Sequence, residues 1–164
     1  MEDLHAELCA FTVPFPDLAQ AVDEWRERTC ASKPSHGVQP HVTLLIPTPP
    51  DLDAAVDALS PFAAFEVTFA GFGRFPGTLW LAPDPAAPFV AMTEALVAAF
   101  PDHAPYGGEF TGITPHLTVA EGDELDAAEA AIAAALPLTS RASSVTLFEQ
   151  VADDRWVERA EFDL

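Results

Sequence analysis

The strongest constraint on the fold of this chain is that its sequence repeats itself. Pro40-His41-Val42-Thr43-Leu44 is answered by Pro115-His116-Leu117-Thr118-Val119. The first copy is followed by Asp51-Leu52-Asp53-Ala54-Ala55 and the second by Glu124-Leu125-Asp126-Ala127-Ala128, both with the composition of a helix start. Beyond each helix comes a β-rich segment, Val67-Thr68-Phe69 in one half and Val145-Thr146-Leu147 in the other. Self-similarity reports architecture before any single residue does. It implies two pseudo-twofold halves, roughly 4–76 and 77–164, each running strand, helix, histidine strand, helix, strand.

Hydrophobic patterning fills in the elements. Residues 4–13 read as a strand closed by Pro14 and Pro16, followed by a helix from Asp17 to Arg28 with Leu18, Ala21, Val22 and Trp25 on its apolar face and charges on the other. Residues 31–39 form a loop. In the strand Pro40 to Ile46 the alternation sends Val42, Leu44 and Ile46 to one face, and His41, Thr43 and Leu45 to the other. Asp51 caps a helix to Ser60, Phe65–Phe69 is a strand that turns at Gly71-Phe72-Gly73, and Thr78–Ala82 is another strand. An Ala-rich helix (Pro85–Phe100), a turn-rich loop, the strand Pro115–Ala120, a second Ala-rich helix (Glu124–Leu136) and the strands Ser143–Val151 and Trp156–Phe162 complete the chain.

Helices returning between strands that turn on Gly and Pro predict an α+β fold, bilobal and duplicated. Two mostly antiparallel sheets should face a central groove, with helices outside. At 164 residues there is material for one substantial core, so the expectation is a single domain over 1–164 that acts as a monomer.

Charge narrows the partners. Twenty-six acids stand against seven bases, for a formal net charge of −19. Such a surface repels polyanions and cannot offer long nucleic acid a continuous basic track. No apolar stretch approaches the ~18 residues a membrane span requires, and the chain opens Met1-Glu2-Asp3 where a signal peptide would be basic. The expected location is the cytoplasm. Cys9 and Cys30 fit no ligand or redox pattern and read as spectators.

A strand carries residues i and i+2 on one face, so each repeat presents an imidazole with a hydroxyl. Cleaving a phosphodiester requires a proton taken from the attacking oxygen and another given to the leaving oxygen. Imidazole, with a pKa of about 6.5, can do either. Threonine hydroxyls can donate to non-bridging oxygens as charge builds on them. His41 and His116 are therefore the candidate acid/base pair, and Thr43 and Thr118 the candidate phosphate-orienting groups. No metal or cofactor is expected: a set drawn from His36, His41, His103 and His116 matches no familiar ligand spacing.

The paired motifs resemble the signature of the two-histidine (2H) phosphoesterase superfamily, specifically its bacterial 2′-5′ RNA ligase-like branch. Gly71-Phe72-Gly73-Arg74-Phe75 and Leu79-Trp80-Leu81 resemble the strands between that family's two motifs. The resemblance implies a bilobal duplicated fold and metal-independent attack on a 2′,3′-cyclic phosphate or a related 2′-linked nucleotide or RNA end, with reversible ligation in some members. A catalytically idle nucleotide-binding relative and a 2′-5′ ligase running in reverse are the alternatives, and an acidic scaffold that docks a basic partner is a third. The partner implied is a small cyclic nucleotide or RNA terminus. Arg74 is a weaker candidate for substrate contact, or else a surface arginine shielding acids. Tyr106, Phe11 and Phe72 are weaker candidates for stacking a base, against a plain role in core packing.

Overall fold

A computed structural model describes residues 9–31, 33–48, 52–100, 113–151 and 155–164. Eight strands and four α-helices occur in them: β1 (Cys9–Pro14), α1 (Ala19–Thr29), β2 (His41–Thr48), α2 (Leu52–Leu59), β3 (Phe65–Phe75), β4 (Thr78–Asp84), α3 (Ala87–Ala99), β5 (Leu117–Glu121), α4 (Leu125–Ala133), β6 (Leu138–Ala142), β7 (Ser144–Gln150) and β8 (Trp156–Asp163). The strands form two four-stranded sheets, ordered β2-β1-β7-β8 and β5-β4-β3-β6. Every pairing is antiparallel. The α+β architecture expected from the repeat is the one observed.

Topology sets where the two motifs lie. β2 and β5 are both edge strands, and they lie against one another. The halves also exchange elements. β3, the last strand of the first repeat, pairs with β4 in the second sheet, and β7 returns to pair with β1 in the first. Helices cross over in the same manner, α1 packing on β5 and α3 on β2. Buried apolar residues of both sheets accordingly form one cluster. Phe15, fully buried after β1, meets Phe69 of β3 edge-on at 5.2 Å and Phe89 of α3 at 6.3 Å. Burying a ring of that size contributes ~1.5–3 kcal/mol, so these contacts brace the two sheets together.

Four elements depart from the sequence reading. Gly71-Phe72-Gly73 is not a turn: β3 runs on to Phe75, and the hairpin reverses at Pro76-Gly77, where Gly77 has a φ of +75°. Glycine inside a strand often marks a close approach instead of a reversal. Here Gly73 pairs with Trp80, whose indole occupies the space a side chain at 73 would need. β6 is an additional strand, hard to see because only its ends, Leu138 and Ala142, are apolar. In α1, Arg26 is buried beside Val22 instead of standing on the charged face. The fourth departure is in the histidine strand. Thr43 pairs with Thr12, but Leu45 pairs with Phe11, which leaves Leu44 as an extra residue. This β-bulge reverses the alternation after Thr43. Leu45 is turned into the core and Ile46 out to the groove. Residues 4–8 of the first predicted strand, the Asp51 cap and the Asp153-Asp154 turn lie outside the described residues.

Candidate functional site

The same bulge occurs in the second motif. Trp80 pairs with Thr118 and Leu79 with Ala120, leaving Val119 extra. Each motif thus presents its threonine and then, three positions on, the next outward residue: Ile46 after Thr43, and Glu121 after Thr118. All four line one cavity of about 200 Å³, together with His41, Ala10, Thr12, Val38, Phe148 and Trp156. Among the described residues that line it there is no lysine or arginine, and Glu121 is the one carboxylate. Glu121 is anchored by the end of α1 and the residues just after it: its Oε1 accepts the Ala31 N–H at 2.9 Å, and its own N–H donates to Thr29 Oγ1 at 3.0 Å.

The two imidazoles are held alike. Nδ1 of His41 lies 2.7 Å from the carbonyl of Gln39, and Nδ1 of His116 lies 2.7 Å from the carbonyl of Thr114. A carbonyl can only accept, so Nδ1 carries the proton in both neutral rings and the lone pair is on Nε2. His116 precedes β5 by one residue. It is not in the lining of the cavity; its ring stands edge-on to Phe75 at 4.9 Å and tilted to Trp80 at 5.8 Å. Thr118, Trp80 and Gly73 pair in one row across the second sheet, as Thr43, Thr12 and Thr146 do across the first. One threonine therefore has an indole beside it and the other a second hydroxyl.

Burial lowers the pKa of both imidazoles. For His41 desolvation outweighs the stabilising Gln39 carbonyl, and the nearby positive charges of Arg26 and of a protonated His116 add to it, bringing the group down to about 4. His116 is lowered by desolvation against the opposing Thr114 hydrogen bond. A charge on His116 therefore disfavours a second one on His41. Burial of Cys30 pushes its thiol up to about 11, so it stays protonated at neutral pH and is no nucleophile.

The weaker candidates separate from this group. Phe11 is fully buried and stacks on Phe100 at 6.1 Å, so it is core and cannot take a base. Phe72 is partly buried and packs against the same core. Arg74 is exposed and bonds Asp126 at 2.7 Å and Glu129 at 2.9 Å on α4, which is the shielding arrangement. Tyr106 and His103 lie outside the described residues. Among the described residues no cluster of three or more His, Cys, Asp or Glu is arranged to hold a metal ion. No helix among them is long and apolar enough to cross a membrane. Ile46, Glu121, Phe148 and Trp156 went unrecognised in the sequence. A bulge hides the first two, and long-range pairing of β7 and β8 brings in the others.

Comparison with known proteins identifies the family and the fold. The family description "2′-5′ RNA ligase superfamily" matches residues 14–154. No curated protein matches the chain. Among solved structures, E. coli LigT complexed with 3′-AMP superposes with a TM-score of 0.63 at 14% identity, covering 96% of this chain and 98% of that one. The same protein complexed with NADP+ gives 0.60 at 17% identity, covering 98% of each chain. A Thermus thermophilus protein gives 0.62 at 18% identity, covering 96% of this chain and 97% of that one. With a family match over most of its length and the same fold in these structures, the chain belongs to the 2′-5′ RNA ligase superfamily, within the two-histidine phosphoesterases.

Proposed function

We propose that this protein is a metal-independent phosphodiesterase that opens a 2′,3′-cyclic phosphate, or a related 2′-linked nucleotide or RNA end, by acid/base catalysis between His41 and His116. The observation that carries this reading is the matched pair of imidazoles. Each is anchored through Nδ1 to a main-chain carbonyl two residues back, each is followed two residues later by a threonine, and they stand at the start of β2 and just before β5, strands that lie against one another. In ring opening, one imidazole takes a proton from water as its oxygen bonds to phosphorus. The other gives a proton to the ribose oxygen whose bond to phosphorus breaks, leaving a phosphomonoester. Thr43 and Thr118 donate to the non-bridging oxygens, the task that basic side chains would otherwise perform.

Glu121 supports a cyclic diester over a monoester. A carboxylate in a cavity without lysine or arginine in its described lining repels a doubly charged phosphate more than a singly charged one. The cyclic substrate carries one charge and the opened product close to two, so the same repulsion assists product release. Small nucleotides are the fitting guests, as the LigT complexes with 3′-AMP and NADP+ illustrate for that protein.

The decisive assay offers the purified protein 2′,3′-cyclic nucleotides in the presence of a chelator. Formation of the monoester at an undiminished rate is expected. Binding without turnover would identify an idle nucleotide-binding relative, and loss of turnover on chelation would overturn the metal-independent mechanism. In the same assay Arg74→Ala is expected to stay within about two-fold of the wild type, because Arg74 is committed to an exposed ion pair on α4.

A further inference from the structure

The repeat makes the two histidines look interchangeable, but their surroundings are not. Arg26 is 1% exposed, and its guanidinium reaches out of α1 to the segment leading into β2. Nη2 donates to the Val38 carbonyl at 3.0 Å and to the Gln39 carbonyl at 3.2 Å, while Nη1 is bonded to Asp23 at 2.5 Å. The Gln39 carbonyl is the same one that accepts the Nδ1 proton of His41. A buried guanidinium, one nitrogen bridging two successive carbonyls and the other held by Asp23, therefore fixes the acceptor that sets both the orientation and the tautomer of His41.

We propose that Arg26 is a positioning residue that divides the labour between the histidines, holding His41 as the proton acceptor for ring opening and leaving His116 as the proton donor. The assignment rests on the phosphodiesterase reading above, while the Arg26–Gln39–His41 arrangement stands without it. Two effects act together. The clasped carbonyl keeps Nδ1–H in place and so keeps the lone pair on Nε2. The positive guanidinium, second to desolvation among the influences that lower His41, opposes formation of the imidazolium. At His116 the influences are burial and the Thr114 carbonyl. Other charged or titratable described groups facing His41 are His116 across the β2–β5 contact, Glu121 in the shared cavity, and Asp23 behind Arg26.

The sign of the pH dependence follows. A base must be unprotonated, so kcat/KM should rise with pH through about 4, the value for His41. An acid must be protonated, so the rate should fall as pH rises through the His116 value, which lies below its ordinary 6.5. The optimum of kcat/KM is expected on the acid side of neutrality.

The test is a histidine NMR titration on the full chain, which reads pKa and tautomer without needing turnover, run beside the kinetic pH profile. Arg26→Gln removes the charge and should raise the His41 pKa by about one unit, move the acid limb of kcat/KM with it, and leave His116 in place. Asp23→Asn retains the guanidinium and removes its counter-charge, so it should move His41 and the acid limb the opposite way, and it decides the matter if Arg26→Gln does not fold. Arg26→Lys retains charge but has one nitrogen in place of the two that hold Asp23 and the carbonyls separately, and should lower kcat with little change in KM. Equal shifts at both histidines, or none in a folded variant, would overturn the proposal. An inactive wild type with the predicted His41 shift would instead count against the phosphodiesterase reading alone.

Discussion

His41→Ala and His116→Ala are each expected to lower the rate of cyclic phosphate opening by about 10²- to 10⁴-fold, the range that positioned proton transfer contributes. Neither ring is part of the buried apolar cluster, so both variants should remain folded, with native circular dichroism and a cooperative melt. The double variant should fall little further than the worse single one, because removing either half of a proton relay already disables it. The two singles should differ in their pH dependence. With His41 absent the limb near pH 4 should vanish, and with His116 absent the alkaline limb should vanish. Full activity in either folded variant would refute two-histidine catalysis.

Gly73→Val is expected to damage stability and turnover together. A Cβ at this position would overlap Cη2, Cζ2 and Cζ3 of Trp80, the residue paired with it across the sheet. The indole has little freedom to yield, because Phe75 lies 5.2 Å from it and His116 5.8 Å. Overpacking of this kind costs about 1–3 kcal/mol, and the displaced indole would disturb the ring of His116 and the neighbouring Thr118. A double-mutant cycle with Trp80→Ala isolates the cause. If the clash is the mechanism, Gly73→Val should cost far less stability where the indole is already gone. Equal costs in both backgrounds would place the fault in the backbone of β3.

The same stretch shows which parts of the molecule could be read from sequence and which could not. His41 with Thr43 and His116 with Thr118 were visible because same-face placement two residues apart is a local property of a strand, and the repeat supplied the context. Ile46 and Glu121 were not, because a period-two template has no place for the extra residues Leu44 and Val119, and one inserted residue sends every later side chain to the other face. Gly71 to Gly73 was misread for a related reason. Glycine marks both reversals and close approaches, and only the position of Trp80 distinguishes them. Arg26 carried the wrong signal altogether, since a charged residue in an amphipathic helix is normally solvated; its burial follows from two carbonyls on a segment twelve and thirteen residues away.

The reciprocal trade of β3 and β7 bears on how the two histidines are brought together. Neither sheet is complete until a strand has arrived from the opposite repeat, and neither histidine edge is backed until a helix has done the same. Each half therefore relies on the other for part of its sheet and for the helix behind its motif. A single melting transition, with no separately unfolding half, is the expected result for a core shared in this way.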